Sequence, residues 1–69
     1  MEKIIIRDEH IKLGQALKLA GAVDSGVDAK YAIAEGLVKV NNETVTERGR
    51  KLFENDVIEY NEIKYIISK

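Results

Sequence analysis

The sequence predicts an α+β fold in which two helices lie against a small antiparallel sheet. Three observations carry this. Apolar residues recur at helical spacing between Lys12 and Gly36, the spacing changes to two after Gly36, and Asn-bearing turns separate the apolar stretches that follow. With 69 residues, no Cys and no Pro, the chain has room for one core and no disulfide to brace it. Residues 1–69 are therefore expected to form a single domain.

Each element has its own signal. Lys3-Ile4-Ile5-Ile6-Arg7 is short and β-branched, which predicts a strand. Leu13, Ala16, Leu17 and Ala20 fall within about 100° of one another on a helical wheel, which predicts a helix over Lys12–Ala20. Lys12, Gln15 and Lys18 fall on its other side, and Gly21 stands at the left-handed C-terminal cap. Ser25 suits the N-cap of a second helix, with Asp28 three residues on. Ala29, Ala32 and Ile33 supply its apolar face and Gly36 its end. Leu37–Val40 then alternates as a strand, and Asn41-Asn42 turns it back into Glu43-Thr44-Val45, since Asn tolerates positive φ. Arg48-Gly49-Arg50-Lys51 is a polar loop, followed by the apolar pair Leu52-Phe53. Asn55-Asp56 and Asn61-Glu62 turn the chain around two further strands, Val57–Tyr60 and Lys64–Ile67.

The formal net charge of −1 argues against a strong, nonspecific polyanion binder, but the charges are unevenly spread. Residues 12–51 hold seven basic groups (Lys12, Lys18, Lys30, Lys39, Arg48, Arg50, Lys51) and five acidic ones, a balance of +2, whereas the two ends sum to −3. If the helices and the Arg48–Lys51 loop share a side, the cations converge into a phosphate-backbone footprint. Two Arg flanking a Gly suit bidentate phosphate contact.

Catalysis is disfavoured. His10 is the only His, and proton transfer needs a second positioned group that no spacing supplies. Ser25 has no base partner and reads as a helix cap. No phosphate-cradling Gly-x-Gly or Gly-Lys-Ser/Thr occurs, and a chain without Cys and with one His is poor in metal ligands. No cofactor or metal is expected. No apolar stretch approaches the roughly 20 residues that cross a bilayer, so the cytoplasm is the expected compartment.

Several segments together resemble a known family. They are Ile11-Lys12-Leu13-Gly14-Gln15-Ala16-Leu17-Lys18, Ser25-Gly26 with Ala29-Lys30, Glu35-Gly36-Leu37-Val38-Lys39-Val40-Asn41-Asn42-Glu43, Arg48-Gly49-Arg50-Lys51-Leu52 and Asn55-Asp56-Val57-Ile58. In this order, over about residues 4–60, they resemble the S4 RNA-binding domain, the alpha-L motif of ribosomal small-subunit protein four, and within it the short stand-alone bacterial branch. Asn42 and Asn55 stand where that family usually has Gly, and Glu47 where the branch often has Arg. The resemblance implies an alpha-L architecture and structured, ribosomal RNA lying across the helix pair and adjacent loop. It implies RNA contacts at Lys12, Lys18, Ser25, Lys30, Asn41, Arg48, Arg50 and Lys51. A role in ribosome assembly or translation follows, with a ribosomal or assembly protein as a further partner and the chain itself a monomer.

The alternative is a protein-interaction adaptor without direct RNA contact, docking through an acidic sheet edge made of Glu54, Asp56, Glu59 and Glu62. A β-grasp sulfur or peptide carrier would need a Gly-Gly terminus, and the sequence ends Ile67-Ser68-Lys69.

Overall fold

The computed structural model describes residues 1–69. In chain order the elements are β1 (Glu2–Ile5), β2 (His10–Lys12), α1 (Leu13–Leu19), α2 (Gly26–Ala34), β3 (Val38–Val40), β4 (Glu43–Thr44), β5 (Lys51–Phe53), β6 (Val57–Tyr60) and β7 (Ile63–Ser68). Five strands form one sheet in the order β1-β7-β6-β3-β4, and β2 pairs with β5 as a separate two-stranded ribbon.

Both helices end as their glycines require. Gly21 and Gly36 adopt φ of 73° and 77°, a region open to Gly at little cost. At each end two N–H groups reach back to the last turn: Gly21 to Lys18 and Ala22 to Leu17, then Gly36 to Ile33 and Leu37 to Ala32. This double bond pattern satisfies carbonyls the helix would otherwise orphan. At the start of α2 the Ser25 Oγ accepts from the Asp28 N–H at 3.2 Å, as a capping residue should.

The Asn turns behave as expected. Asn41 and Asn42 have φ of 51° and 71°, which matches the tight hairpin turn that joins β3 to β4. Asn55 also adopts a positive φ, 78°, at the turn expected there. The β3–β4 turn is also tied to a neighbour. Asn41 Oδ1 accepts from the Val57 N–H, Asn41 Nδ2 donates to Asp56 Oδ1, and Asp56 Oδ2 accepts from the Phe53 N–H at 2.8 Å. One Asn and one Asp thus lock three segments together.

One apolar core serves the whole structure. Leu13, Ala16 and Leu17 of α1 and Ala29, Ala32 and Ile33 of α2 meet Ile4, Val38, Val40, Ile58, Tyr65 and Ile67 of the sheet. Leu52 is fully buried and brings the ribbon into the same core. Tyr65 is raised above the ordinary 10.0 mainly by burial, with the charges of Glu2 and Tyr60 adding to it.

Three expectations need correction. The sheet is mixed, because β1 runs parallel to β7 in the register Glu2↔Tyr65 to Ile5↔Ser68. Hydrophobic alternation reports which side of a strand is buried but not which strand lies beside it. The second correction is β2. Lys12, expected in the first helix, belongs with His10 and Ile11 to a strand that pairs antiparallel with β5, opposing His10 to Phe53 and Lys12 to Lys51. Its residues are at best half-buried, so they carry little alternation to find.

The acidic sheet edge also fails to form. Glu59 lies on β6, inside the sheet, opposite Lys39 on one neighbour and Lys64 on the other. The Asp56 carboxylate is occupied by Asn41 and the Phe53 N–H.

Candidate nucleic-acid interface

The first helix starts without a side-chain cap. Lys12 occupies the N-cap position, and its side chain cannot accept a hydrogen bond. The loop after β4 supplies the missing acceptors. The Leu13 N–H donates to the Arg50 carbonyl at 2.9 Å and the Gly14 N–H to the Arg48 carbonyl at 3.1 Å. Orphan donors of α1 are thereby satisfied by backbone, and the loop is fastened to the helix. Its fastening places Arg48 beside Gly14, where a Cβ on the glycine would lie 3.6 Å from the Arg48 Cβ.

Lys12, Gln15 and Lys18 follow one another at intervals of three, so they share one flank of α1. Lys18 then crosses to the second helix: a Cβ on Gly26 would meet its Cδ at 4.0 Å. The result is an open groove of about 410 Å³ lined by Lys12, Gly14, Gln15, Lys18, Gly26, Arg48 and Gly49. Three cations face it, and no carboxylate or apolar side chain lines it. Lys12, Lys18 and Arg48 are all exposed, and none of the side-chain hydrogen bonds of the fold uses them.

Lys51 stands next to this groove. It is the cross-strand partner of Lys12 on the β2–β5 ribbon, and both side chains are exposed while Leu52 points into the core. Like charges directly opposite one another cost stability. That arrangement favours a surface waiting for an anion.

The remaining expected positions are placed differently. Lys30 and Arg50 are exposed but do not line the groove. Lys30 sits one turn on from Gly26, on the same flank of α2. Ser25 contributes its hydroxyl to the cap of α2. Asn41 lies outside the groove lining, and both ends of its amide are spent on Asp56 and Val57.

A second depression adjoins the first, sharing Gln15 and Lys18 with it. Arg7, Asp8 and His10 line it too, with Ile6, Ile11 and the exposed Ile5 and Leu19 as its apolar part. Here His10 packs against Phe53 with ring centroids 5.9 Å apart. Gln15 is the lining side chain that the charge pattern leaves out. Its position between Lys12 and Lys18 on the helical wheel is the signal that marks it. No three His, Asp or Glu side chains converge where a metal ion could be held, and no helix is long and apolar enough to cross a membrane.

Comparison with known proteins sets this geometry in context. The S4 domain family model matches residues 4–68. The chain is 50% identical over 56 residues to the "probable ribosome maturation protein RlbA" of Bacillus subtilis, covering 81% of this chain and 79% of that one. It is 39% identical over 51 residues to YbcJ of Escherichia coli, covering 74% and 73% of the two chains. The solution structure of YbcJ, with an alpha-L motif involved in RNA binding, superposes at a TM-score of 0.76 with 30% identity, over all of this chain and 89% of that one. The 30S ribosomal protein S4e of Thermoplasma acidophilum superposes at 0.66 with 33% identity, covering 87% of this chain but 32% of its own length.

Proposed function

The chain belongs to the S4 domain family, and from that premise we propose that it is an RNA-binding module whose ligand is structured ribosomal RNA. The sugar–phosphate backbone lies in the groove between α1, the first turn of α2 and the Arg48–Gly49 loop. One observation carries this reading. A chain of net charge −1 gathers Lys12, Lys18 and Arg48 around a groove with no carboxylate in its lining.

The roles follow from the chemistry. Arg48 offers a planar fork for two phosphate oxygens, and Lys12 and Lys18 act as mobile point charges. Lys51 reinforces Lys12 from across the ribbon. The start of α2 at Gly26 adds the positive end of a nine-residue helix, kept in shape by Ser25. Lys30 and Arg50 extend the positive field beyond the groove. Asn41 serves the fold by holding β6 and the β5–β6 turn, and through them the ribbon that carries Lys51. Recognition by backbone and shape, with few base contacts, is the usual mode for folded RNA. The ribosomal source of the RNA is supported by the name of the Bacillus relative.

Salt titration with ribosomal RNA fragments tests the proposal. Three neutralised phosphates on a single-strand scale give a slope of log affinity on log salt of about −2. Replacing Lys12, Lys18 and Arg48 together by Ala removes that slope and lowers affinity about 100-fold at about 0.1 M salt. Full affinity in the triple variant, or a flat titration of the parent protein, rejects it.

A further inference from the structure

We propose that the groove on the opposite flank of α2 is a docking site for a cationic peptide segment carrying apolar side chains, contributed by a protein partner. The inference does not depend on RNA binding.

Its walls differ from the first groove in every respect. Asp24, Asp28 and Glu35 line it together with Tyr31, Leu37 and Tyr60, around an open volume of about 490 Å³. Asp28, Tyr31 and Glu35 are three and four residues apart, so α2 presents them as one stripe. No Lys or Arg lines the groove, and the carboxylates of Asp24, Asp28 and Glu35 take no part in the side-chain hydrogen bonds of the fold.

Apolar surface is the second observation. Tyr31 is 62% exposed and Leu37 58% exposed, although Val38 immediately after Leu37 is completely buried. Tyr60 is half-buried and packs on the core from below. A tyrosine and a leucine left open on the walls of one groove, with carboxylates and no cation in the same lining, form a surface with something to gain from cover. Tyr is also among the residues enriched where proteins bind one another.

Charge complementarity selects the occupant. Polyanions are repelled by the three carboxylates, which rules RNA out of this groove. A second copy of the chain could offer its basic groove, which has no apolar side chain to set against Tyr31, Leu37 and Tyr60, or the adjoining depression, where Ile5 and Leu19 stand beside Arg7 and Lys18 but Asp8 in the same lining would face the three carboxylates. A peptide with Lys or Arg alternating with Leu meets both demands at once. About eight extended residues at roughly 3.4 Å each would cross the molecule, whose longest dimension is 28 Å.

The full chain, isotopically labelled, is titrated with a synthetic peptide of about ten residues alternating Lys with Leu, and followed by amide chemical shifts. Shifts are expected at Tyr31, Glu35 and Leu37, and not at Lys12 or Arg48. Tyr31→Ser, and separately Asp28→Asn with Glu35→Gln, should each weaken binding about tenfold, while Lys12→Ala leaves it unchanged. Four outcomes overturn the proposal: no shifts at millimolar peptide, shifts centred elsewhere, equal affinity for a peptide with Ser replacing Leu, or self-association through this groove that the peptide cannot compete away.

Discussion

The two grooves beside α2 are separated by the width of a single helix, yet they share no chemistry. The Gly26 flank is wholly polar and positive, with its cations contributed by β2, α1 and a distant loop. The Asp28 flank is acidic and floored with aromatic and aliphatic carbon. Both lie on exposed faces of one nine-residue helix whose third face is buried in the core. The difference teaches why net charge is a poor guide to binding here. The carboxylates that bring the total to −1 are kept out of the basic groove, and a chain with 11 basic and 12 acidic groups can offer two surfaces of opposite sign. What separates them is low-dielectric protein, and ions screen the rest within about 8 Å at physiological salt.

Three changes would break or sharpen the contrast. The largest effect is expected from Asp56→Ala. It removes one acceptor from the Phe53 N–H and another from Asn41, and bonds to a charged acceptor are the stronger kind. Stability in urea should fall by about 2 kcal/mol. Amide exchange should rise first at Lys51–Phe53, so the basic side loosens while Tyr31 and Glu35 stay protected. Equal loosening on both flanks would show that the grooves are not separately supported.

A smaller effect is expected from reversing the acidic stripe with Asp28→Lys and Glu35→Lys. If screening isolates the grooves, RNA affinity changes less than about twofold at physiological salt. At about 0.01 M salt, where the screening length grows to roughly 30 Å, affinity should rise several-fold. A large gain at physiological salt would mean that RNA reaches around the helix.

The smallest effect concerns a residue outside both grooves. Folded Tyr65 keeps its proton beyond the ordinary 10.0, chiefly because it is buried. Above that pH the unfolded chain binds fewer protons than the folded one, so stability declines as pH rises through the folded value. Urea unfolding at about pH 8 and about pH 11 should show that Tyr65→Phe reduces this alkaline loss. A parent protein as stable at the higher pH as at the lower would contradict this.

Much of the fold was legible in the residues. Gly21, Ser25 and Gly36 marked helix ends because each plays a local role that few other residues can, and Asn41-Asn42 marked its turn for the same reason. Local signals do not report partners across space. Nothing in Lys3–Arg7 says that it will lie parallel to β7, and His10–Lys12 is a strand only because Lys51–Phe53 runs beside it. The candidate site divides in the same way. Lys12, Gln15 and Lys18 fall together by helical spacing alone. Arg48 joins them because two backbone hydrogen bonds, from Leu13 to the Arg50 carbonyl and from Gly14 to the Arg48 carbonyl, fasten its loop to α1, and these are invisible to any side-chain pattern. The acidic groove was hidden altogether, because Leu37 and Tyr60 reach it from outside α2.

The pairing of β1 with β7 sets a timetable for biosynthesis. Glu2 leaves the ribosome well before Tyr65, the residue that will lie opposite it, because both helices and the strands from β2 to β6 are made between them. Until Ile63–Ser68 emerges, β1 has no neighbour in the sheet and Ile4 lacks part of its cover. Contacts between such remote positions form slowly. The helices and the β3–β4 hairpin can organise while translation continues, but the sheet closes as a late, nearly single event, and its outer strand is the last to gain protection.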